Sequence, residues 1–334
     1  MARPVTPVRA AICNTHGAPE VVHVEARESP ALTAGQIRVR VGAAAVNFPD
    51  VLIVANEYQI KVPTPFVPGS EFAGVVTEVA DGVDGIAVGD HVSGTGLYGA
   101  FAEEVVVARA SVTPIADGVD ARAAAAFGVA HRTAYHVLRS IARVQPGDEL
   151  VVLGAGGGVG LATVQVGTML GASVTAVASS AAKLEVARTY GAAHTIDNQS
   201  VDVRGALKQA LPNGADVVVD PVGGALSEAA LRSLRWRGRF VTVGYASGEI
   251  PRIPLNLVLL KGITVLGFEM LGFMLNEPAE LARNEAELLD LLAQGKIRPH
   301  IGAAFGLDAT GAALQYVADG RAIGKVVIDI AGTE

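Results

Sequence analysis

Cysteine is almost missing from this sequence: Cys13 is the only one in 334 residues. A single thiol makes no internal disulfide and builds no multi-cysteine zinc site. Charge is sparse too, at 18% of residues against roughly 25% in typical globular chains. No block of basic residues occurs, and 26 Lys and Arg against 33 Asp and Glu leave a net charge of −7. That balance argues against nucleic acid or an anionic membrane as partner. Long unbroken apolar runs are also lacking. Residues 150–182 contain no charged side chain, yet seven glycines interrupt them, so no block of about 20 apolar residues spans a bilayer. The stretch reads as buried core. The first ten residues carry two arginines and two prolines but no apolar h-region. No signal peptide is expected, and a cytoplasmic location is the default.

What is present is apolar and punctuated. Half the residues are hydrophobic, enough for a large core, and the length suits about two domains at roughly 150 residues each. The first part reads as short β segments at Ile37–Val46, Phe72–Val79 and Phe101–Val107, with Pro63, Pro65 and Pro68 confining one stretch to a loop. From Ala121 the pattern changes. An alanine-rich helix to Ser140 is followed by strands at 149–153, 173–177, 216–220, 239–243 and 263–267. Helices are expected between them, at 159–170, 181–190, 203–210 and 225–234, with a further helix at 280–294 and a last strand at 325–330. Apolar strands alternating with amphipathic helices predict an α/β fold with a doubly wound parallel sheet.

The segment Glu149–Gly160 reads ELVVLGAGGGVG. A strand that runs into glycines and opens a helix presents backbone amides to a pyrophosphate. The strict G-x-G-x-x-G pattern is not met, since Ala155 stands at its first position, before Gly157, Gly158, Val159 and Gly160. Twenty or so residues on, an acidic side chain usually holds a free ribose 2′-hydroxyl. Here the second strand is followed by Ser179, Ser180 and Lys183, with no carboxylate. Two hydroxyls and an ammonium suit a 2′-phosphate, so NADPH is expected rather than NADH. The same serines also suit a helix N-cap, and the two roles are compatible.

Taken together, Ala45-Val46-Asn47-Phe48-Pro49-Asp50, Pro68-Gly69-Ser70-Glu71-Phe72-Ala73-Gly74, Val88-Gly89-Asp90, Gly99-Ala100-Phe101-Ala102-Glu103, the glycine loop and Gly324-Lys325-Val326-Val327 resemble the zinc-independent, ζ-crystallin-like quinone oxidoreductases of the medium-chain dehydrogenase/reductase superfamily. The resemblance spans nearly the whole chain. It implies a β-rich, GroES-like catalytic domain from residues 1–128 and 270–334, and a Rossmann nucleotide-binding domain at 129–269, with cofactor and substrate meeting in a cleft between them. It also implies a homodimer, for which the apolar run Ile253–Gly267 is the candidate interface.

Zinc-dependent members of that superfamily supply a cysteine where this chain has Asn47 and a histidine where it has Ser70. No metal is expected, and His131 and His136 read as ordinary surface or partly buried residues. Without a Lewis acid, hydride transfer to an electrophilic small molecule is easier than alcohol oxidation. By the resemblance, Asn47 lies near the nicotinamide, where its amide could donate to the ribose or the substrate oxygen. Asp50 orients its neighbours, and Tyr58 is a candidate hydrogen-bond or proton donor. Thr133, Asn198, Gly244 and Tyr245 are expected at the cofactor riboses and the strand ends, and Arg321 and Lys325 near its phosphates or nicotinamide. Three readings stay open at this point: a quinone reductase, an enoyl reductase acting on a conjugated C=C, and a non-enzymatic NADPH-binding protein.

Overall fold

The computed structural model describes residues 7–116 and 118–330. Two compact units form. One takes the described residues up to Val129 together with those from Arg298 onward, and the other is Ala130–Ile297.

The second unit is built on six parallel strands in the spatial order His194–Asp197, Ser173–Ala178, Glu149–Leu153, Ala215–Asp220, Leu234–Thr242 and Thr264–Gly267. Leu150, Val151, Val152 and Leu153 are all fully buried, as expected of a strand covered on both faces. The chain order reverses between Glu149–Leu153 and Ala215–Asp220, the switch point at which α/β sheets bind ligands beyond their strands' carboxyl ends. One strand, His194–Asp197, has no counterpart in the sequence pattern. Its four residues form no apolar run, and pairing with Ser173–Ala178 creates it.

In the first unit the long strand Gln36–Val46 is the organising element. It pairs antiparallel with Glu71–Val79, Glu104–Ala108 and Lys325–Asp329. Ala45 faces Glu71 and Val46 faces Val326, so the register brings Asn47, Ser70–Glu71 and Lys325 to one corner of the sheet. Gly69 makes that corner possible. Its φ is +103°, and a Cβ there would run into the Phe101 ring.

The expected return to the catalytic unit at 270 comes later, at Arg298. Residues 270–297 stay with the parallel sheet because their helix Pro278–Ala293 is tied down by polar contacts. Glu285 accepts from Arg132 at 2.6 Å and His136 at 3.1 Å, Asn284 donates to Ser140 at 2.9 Å, and Phe273 packs on the His136 ring at 4.7 Å. The two histidines are likewise interior rather than at the surface. His136 is fully enclosed between Glu285 and Asn284, and buried His131 meets Gln165 at 3.0 Å.

Burial raises the Glu285 carboxyl's pKa, but the hydrogen bond from His136 and the charge and hydrogen bond of Arg132 outweigh it and hold it below the usual range. A lowered folded-state pKa stabilises above the unfolded value and loses that contribution as pH falls. Glu285→Ala should therefore melt lower than the parent at pH 7, by about 1–3 kcal/mol. The gap should narrow below about pH 4, and thermal denaturation at both pH values checks it.

Candidate active site

The corner of the β-rich unit holds an enclosed polar cluster. Lys325 is 3% exposed and Glu71 1%, and the lysine ammonium donates to Glu71 Oε1 and, at 2.6 Å, to Asn47 Oδ1. Asn47 Nδ2 donates to Ser70 Oγ at 3.1 Å and to Glu71 Oε1 at 3.0 Å. The second Glu71 oxygen accepts the Val129 amide at 2.7 Å. Asn47 also precedes the short helix Phe48–Val54, and its backbone N–H donates to Asp50 Oδ2 at 2.7 Å. Burial pushes the Asp50 carboxyl up to about 7, against the opposing pull of the Asn47 amide, the Ser70 hydroxyl and Lys325.

These contacts revise three expectations. The Asn47 amide is not free to donate to a ribose or a substrate, because both its N–H groups are taken by Ser70 and Glu71. Lys325 is not a phosphate ligand, because its ammonium is enclosed and neutralised by Glu71. Arg321 is a surface residue, stacked 4.7 Å over the Tyr316 ring and 3.1 Å from Asp319. Tyr58 packs against the apolar core of this unit. Sequence reading uses Ser70 and Glu71 only as family markers, and Ser70 as the place of an absent zinc ligand, and gives neither a role of its own. The signal for one is a serine–glutamate pair at the start of a buried apolar strand.

In the parallel-sheet unit the glycine loop joins Glu149–Leu153 to the helix Gly158–Met169. Ala155 is fully buried and donates to the Val177 carbonyl at 3.0 Å, which pins the loop to the next strand. Gly160 is required by packing, since a Cβ there would overlap the Gly154 carbonyl. Gly157, the N-cap residue, differs. Its φ of −85° suits any residue, and a Cβ would meet nothing closer than 3.5 Å. The protein's own packing does not call for glycine there, whereas a group lying against the helix start would.

At the end of the neighbouring strand Ser180 caps the helix Ala181–Thr189, accepting the Lys183 N–H at 3.4 Å. The Lys183 ammonium donates to Ser179 Oγ at 3.3 Å, and its pKa is lowered by burial. The lysine's carbon chain lies across Gly156, close enough that a Cβ on Gly156 would clash with it. Asn198 donates its backbone N–H to Ala178 at 3.0 Å, and its buried side-chain oxygen has no hydrogen-bond partner. An open glycine, a serine–lysine pair and an orphaned amide oxygen around one loop fit a dinucleotide. Across the switch point, buried Asp220 accepts the Val222 and Gly223 amides at 2.8 Å each and the Ser227 hydroxyl. It thereby shapes the turn whose Val222 side chain packs on Gly154. Thr133 is buried on the helix Ala121–His136, and Gly244 and half-exposed Tyr245 follow the strand Leu234–Thr242.

Comparison with known proteins gives a consistent picture. Residues 33–117 match the alcohol dehydrogenase GroES-like domain family, and residues 158–292 match the zinc-binding dehydrogenase family. The quinone oxidoreductase-like protein 2 homolog of Nematostella vectensis is 35% identical over 324 residues, covering 96% of this chain and 88% of the relative. Among solved structures, Escherichia coli quinone oxidoreductase complexed with NADPH superposes with a TM-score of 0.89 at 26% identity, covering 96% of this chain and all (100%) of that one. A Pseudomonas syringae quinone oxidoreductase gives 0.89 at 30% identity, covering 97% and 100%.

The two loop glycines separate packing from ligand contact. Gly160→Ala should destabilise the fold by about 1–3 kcal/mol, read as a lower melting temperature. Gly157→Ala should melt like the parent yet bind dinucleotide about tenfold or more weakly by fluorescence titration. Unchanged affinity would place no ligand at that helix start.

Proposed function

The chain belongs to the quinone oxidoreductase family of the medium-chain dehydrogenases/reductases, and we propose that within it this protein is a zinc-independent, NADPH-dependent oxidoreductase. It passes hydride to a quinone or a related activated carbonyl acceptor. The observation that carries the cofactor reading is the Ser179–Ser180–Lys183 group standing where a 2′-hydroxyl reader would place a carboxylate. When bound, NADPH supplies the hydride. The amides at the start of Gly158–Met169 hold the pyrophosphate, with Gly157, Gly158 and Val159 lining it, while buried Ala155 and Gly160 shape the loop behind them. Ser179, Ser180 and Lys183 take the 2′-phosphate, Asn198 the adenosine ribose, and Thr133, Gly244 and Tyr245 the nicotinamide half. The NADPH bound in the similar Escherichia coli quinone oxidoreductase supports the choice of cofactor.

Zinc independence is supported by the donor set at the corner of the β-rich unit. Neither Asn47 nor Ser70, which bond to each other, is among the thiolate, imidazole and carboxylate ligands that zinc takes, and the carboxylate beside them, Glu71, is already held by the Lys325 ammonium. Among the described residues, no three His, Cys, Asp or Glu side chains gather as metal ligands, and no helix is long and apolar enough to cross a membrane. A cytoplasmic setting belongs to the same proposal. So does a homodimer. The strand Thr264–Gly267 lies at the edge of its sheet, and Leu255, Leu259 and Leu275, on the helices just before and after it in the chain, are each more than 70% exposed (77%, 79% and 72%). An unpaired edge flanked by exposed leucines invites a partner strand.

Lys183→Ala should raise the KM for NADPH about tenfold or more and leave that for NADH within about twofold. An equal effect on both cofactors would contradict the 2′-phosphate assignment. Sedimentation equilibrium should give twice the chain mass, and Leu259→Glu should shift it to the monomer. A monomeric parent would remove the dimer from the proposal.

A further inference from the structure

Among the described residues, the polar corner contains one buried acid without an ion-pair partner. Asp50 is 1% exposed, its Oδ2 is occupied by the Asn47 amide, and its Oδ1 carries no hydrogen bond. The charged groups that face it are Lys325, from the strand Lys325–Asp329, and Glu71, from the strand Glu71–Val79. Those two neutralise each other, so the Asp50 carboxyl has no counter-charge of its own. Ser70 is its hydroxyl neighbour. The Ser70 oxygen already accepts from Asn47 Nδ2. Its single proton goes to the Asp50 carboxyl while that acid is ionised, and it is released to turn to an acceptor once the carboxyl is protonated and donates to Ser70 in its place. Ser70 and Asn47, each 8% exposed, are the most accessible members of the cluster. With the asparagine amide fully engaged, the Ser70 hydroxyl is the one donor that can face an acceptor.

We propose that Ser70 is a catalytic residue of this oxidoreductase, the hydroxyl that protonates the reduced acceptor, and that Asp50 is the buried acid that resupplies it. The proposal rests on the hydride-transfer reading above. The nicotinamide cofactor is oxidised and the acceptor reduced by two electrons, leaving negative charge on the acceptor oxygen. The Ser70 O–H bond then breaks as an O–H bond forms on that oxygen. The Asp50 O–H bond breaks as the Ser70 O–H re-forms, and the Asp50 carboxylate regains a proton from water before the next turnover. Lys325 and Glu71 serve as positioning residues: by holding Asn47 they hold the Ser70 oxygen and the Asp50 carboxyl in one orientation.

The carboxyl's elevation to about 7 fits this role, because an acid works best with a pKa near the operating pH. The sign follows directly. Asp50 is protonated below that value, so proton-limited turnover falls as pH rises through it.

The test combines kinetics with a titration that needs no turnover. Ser70→Ala should lower kcat at least tenfold with quinone as acceptor while leaving NADPH affinity by fluorescence unchanged, and Ser70→Thr should restore most of the rate. Asp50→Asn should lower kcat similarly and abolish the loss of rate with rising pH. Independently, carbon-13 NMR of aspartate-labelled protein, assigned with Asp50→Asn, should show a carboxyl titrating near neutrality and moving to a different pKa in Ser70→Ala. A Ser70→Ala enzyme with parental kcat and pH profile would overturn the proposal, as would an Asp50 carboxyl titrating in the ordinary acidic range. If the parent protein binds NADPH but reduces no acceptor, the hydride-transfer reading fails instead, and a neutral Asp50 titration would then report only the geometry of the corner.

Discussion

The ion pair between Lys325 and Glu71 is the contact on which the polar corner of the β-rich unit depends. Both side chains are shut away from water, and burying two charges yields little net stability even when the pairing is good. Its effect is on arrangement. The lysine belongs to one strand, the glutamate to another, and Asn47 ends the strand between them, so the pair fixes three strand ends at a common level. Losing either partner would leave an uncompensated charge inside, a penalty of about 3–5 kcal/mol. Through Asn47 the pair also sets the positions of Ser70 and Asp50. The chemistry proposed here is therefore a property of that register.

The nucleotide loop works by the opposite principle, with backbone in place of buried charge. Gly160 permits the helix to close on the strand, Ala155 locks the loop to its neighbour, and Gly157 leaves room at the helix start. Asp220 adds a second anchor across the switch point by gathering two amides and a hydroxyl. A phosphate there would meet amides that are already oriented, so little ordering cost would remain at binding.

Much of this was legible in the sequence. Strands buried on both faces must be continuously apolar, which made Leu150–Leu153 and Val217–Val219 visible, and the glycine loop announced itself by following one of them. Ser179, Ser180 and Lys183 could be placed because local spacing sets their positions. The strand His194–Asp197 could not, since tertiary pairing creates it from a polar segment. The retention of residues 270–297 by the parallel sheet was hidden for a similar reason, because it rests on Glu285 finding Arg132 and His136 more than 140 positions away. Asn47 was singled out in the sequence as an amide free to donate, and the fold shows that amide engaged by Ser70 and Glu71. Motif spacing shows that an amide is present, while the partners that consume it come from Ser70, Glu71 and Lys325, which only the fold assembles.

The central claim is that this molecule moves hydride from NADPH to an electrophile without a metal. The most direct measurement is stopped-flow oxidation of NADPH, with NADH in parallel, in chelator-treated buffer against an ortho-quinone and an enoyl thioester. The account predicts rapid, saturable NADPH oxidation with the quinone, much slower use of NADH, and no response to added zinc. Oxidation with the thioester alone would retain the cofactor site and transfer the acceptor to the enoyl class. Equal use of NADH, or turnover that requires zinc, would contradict the account.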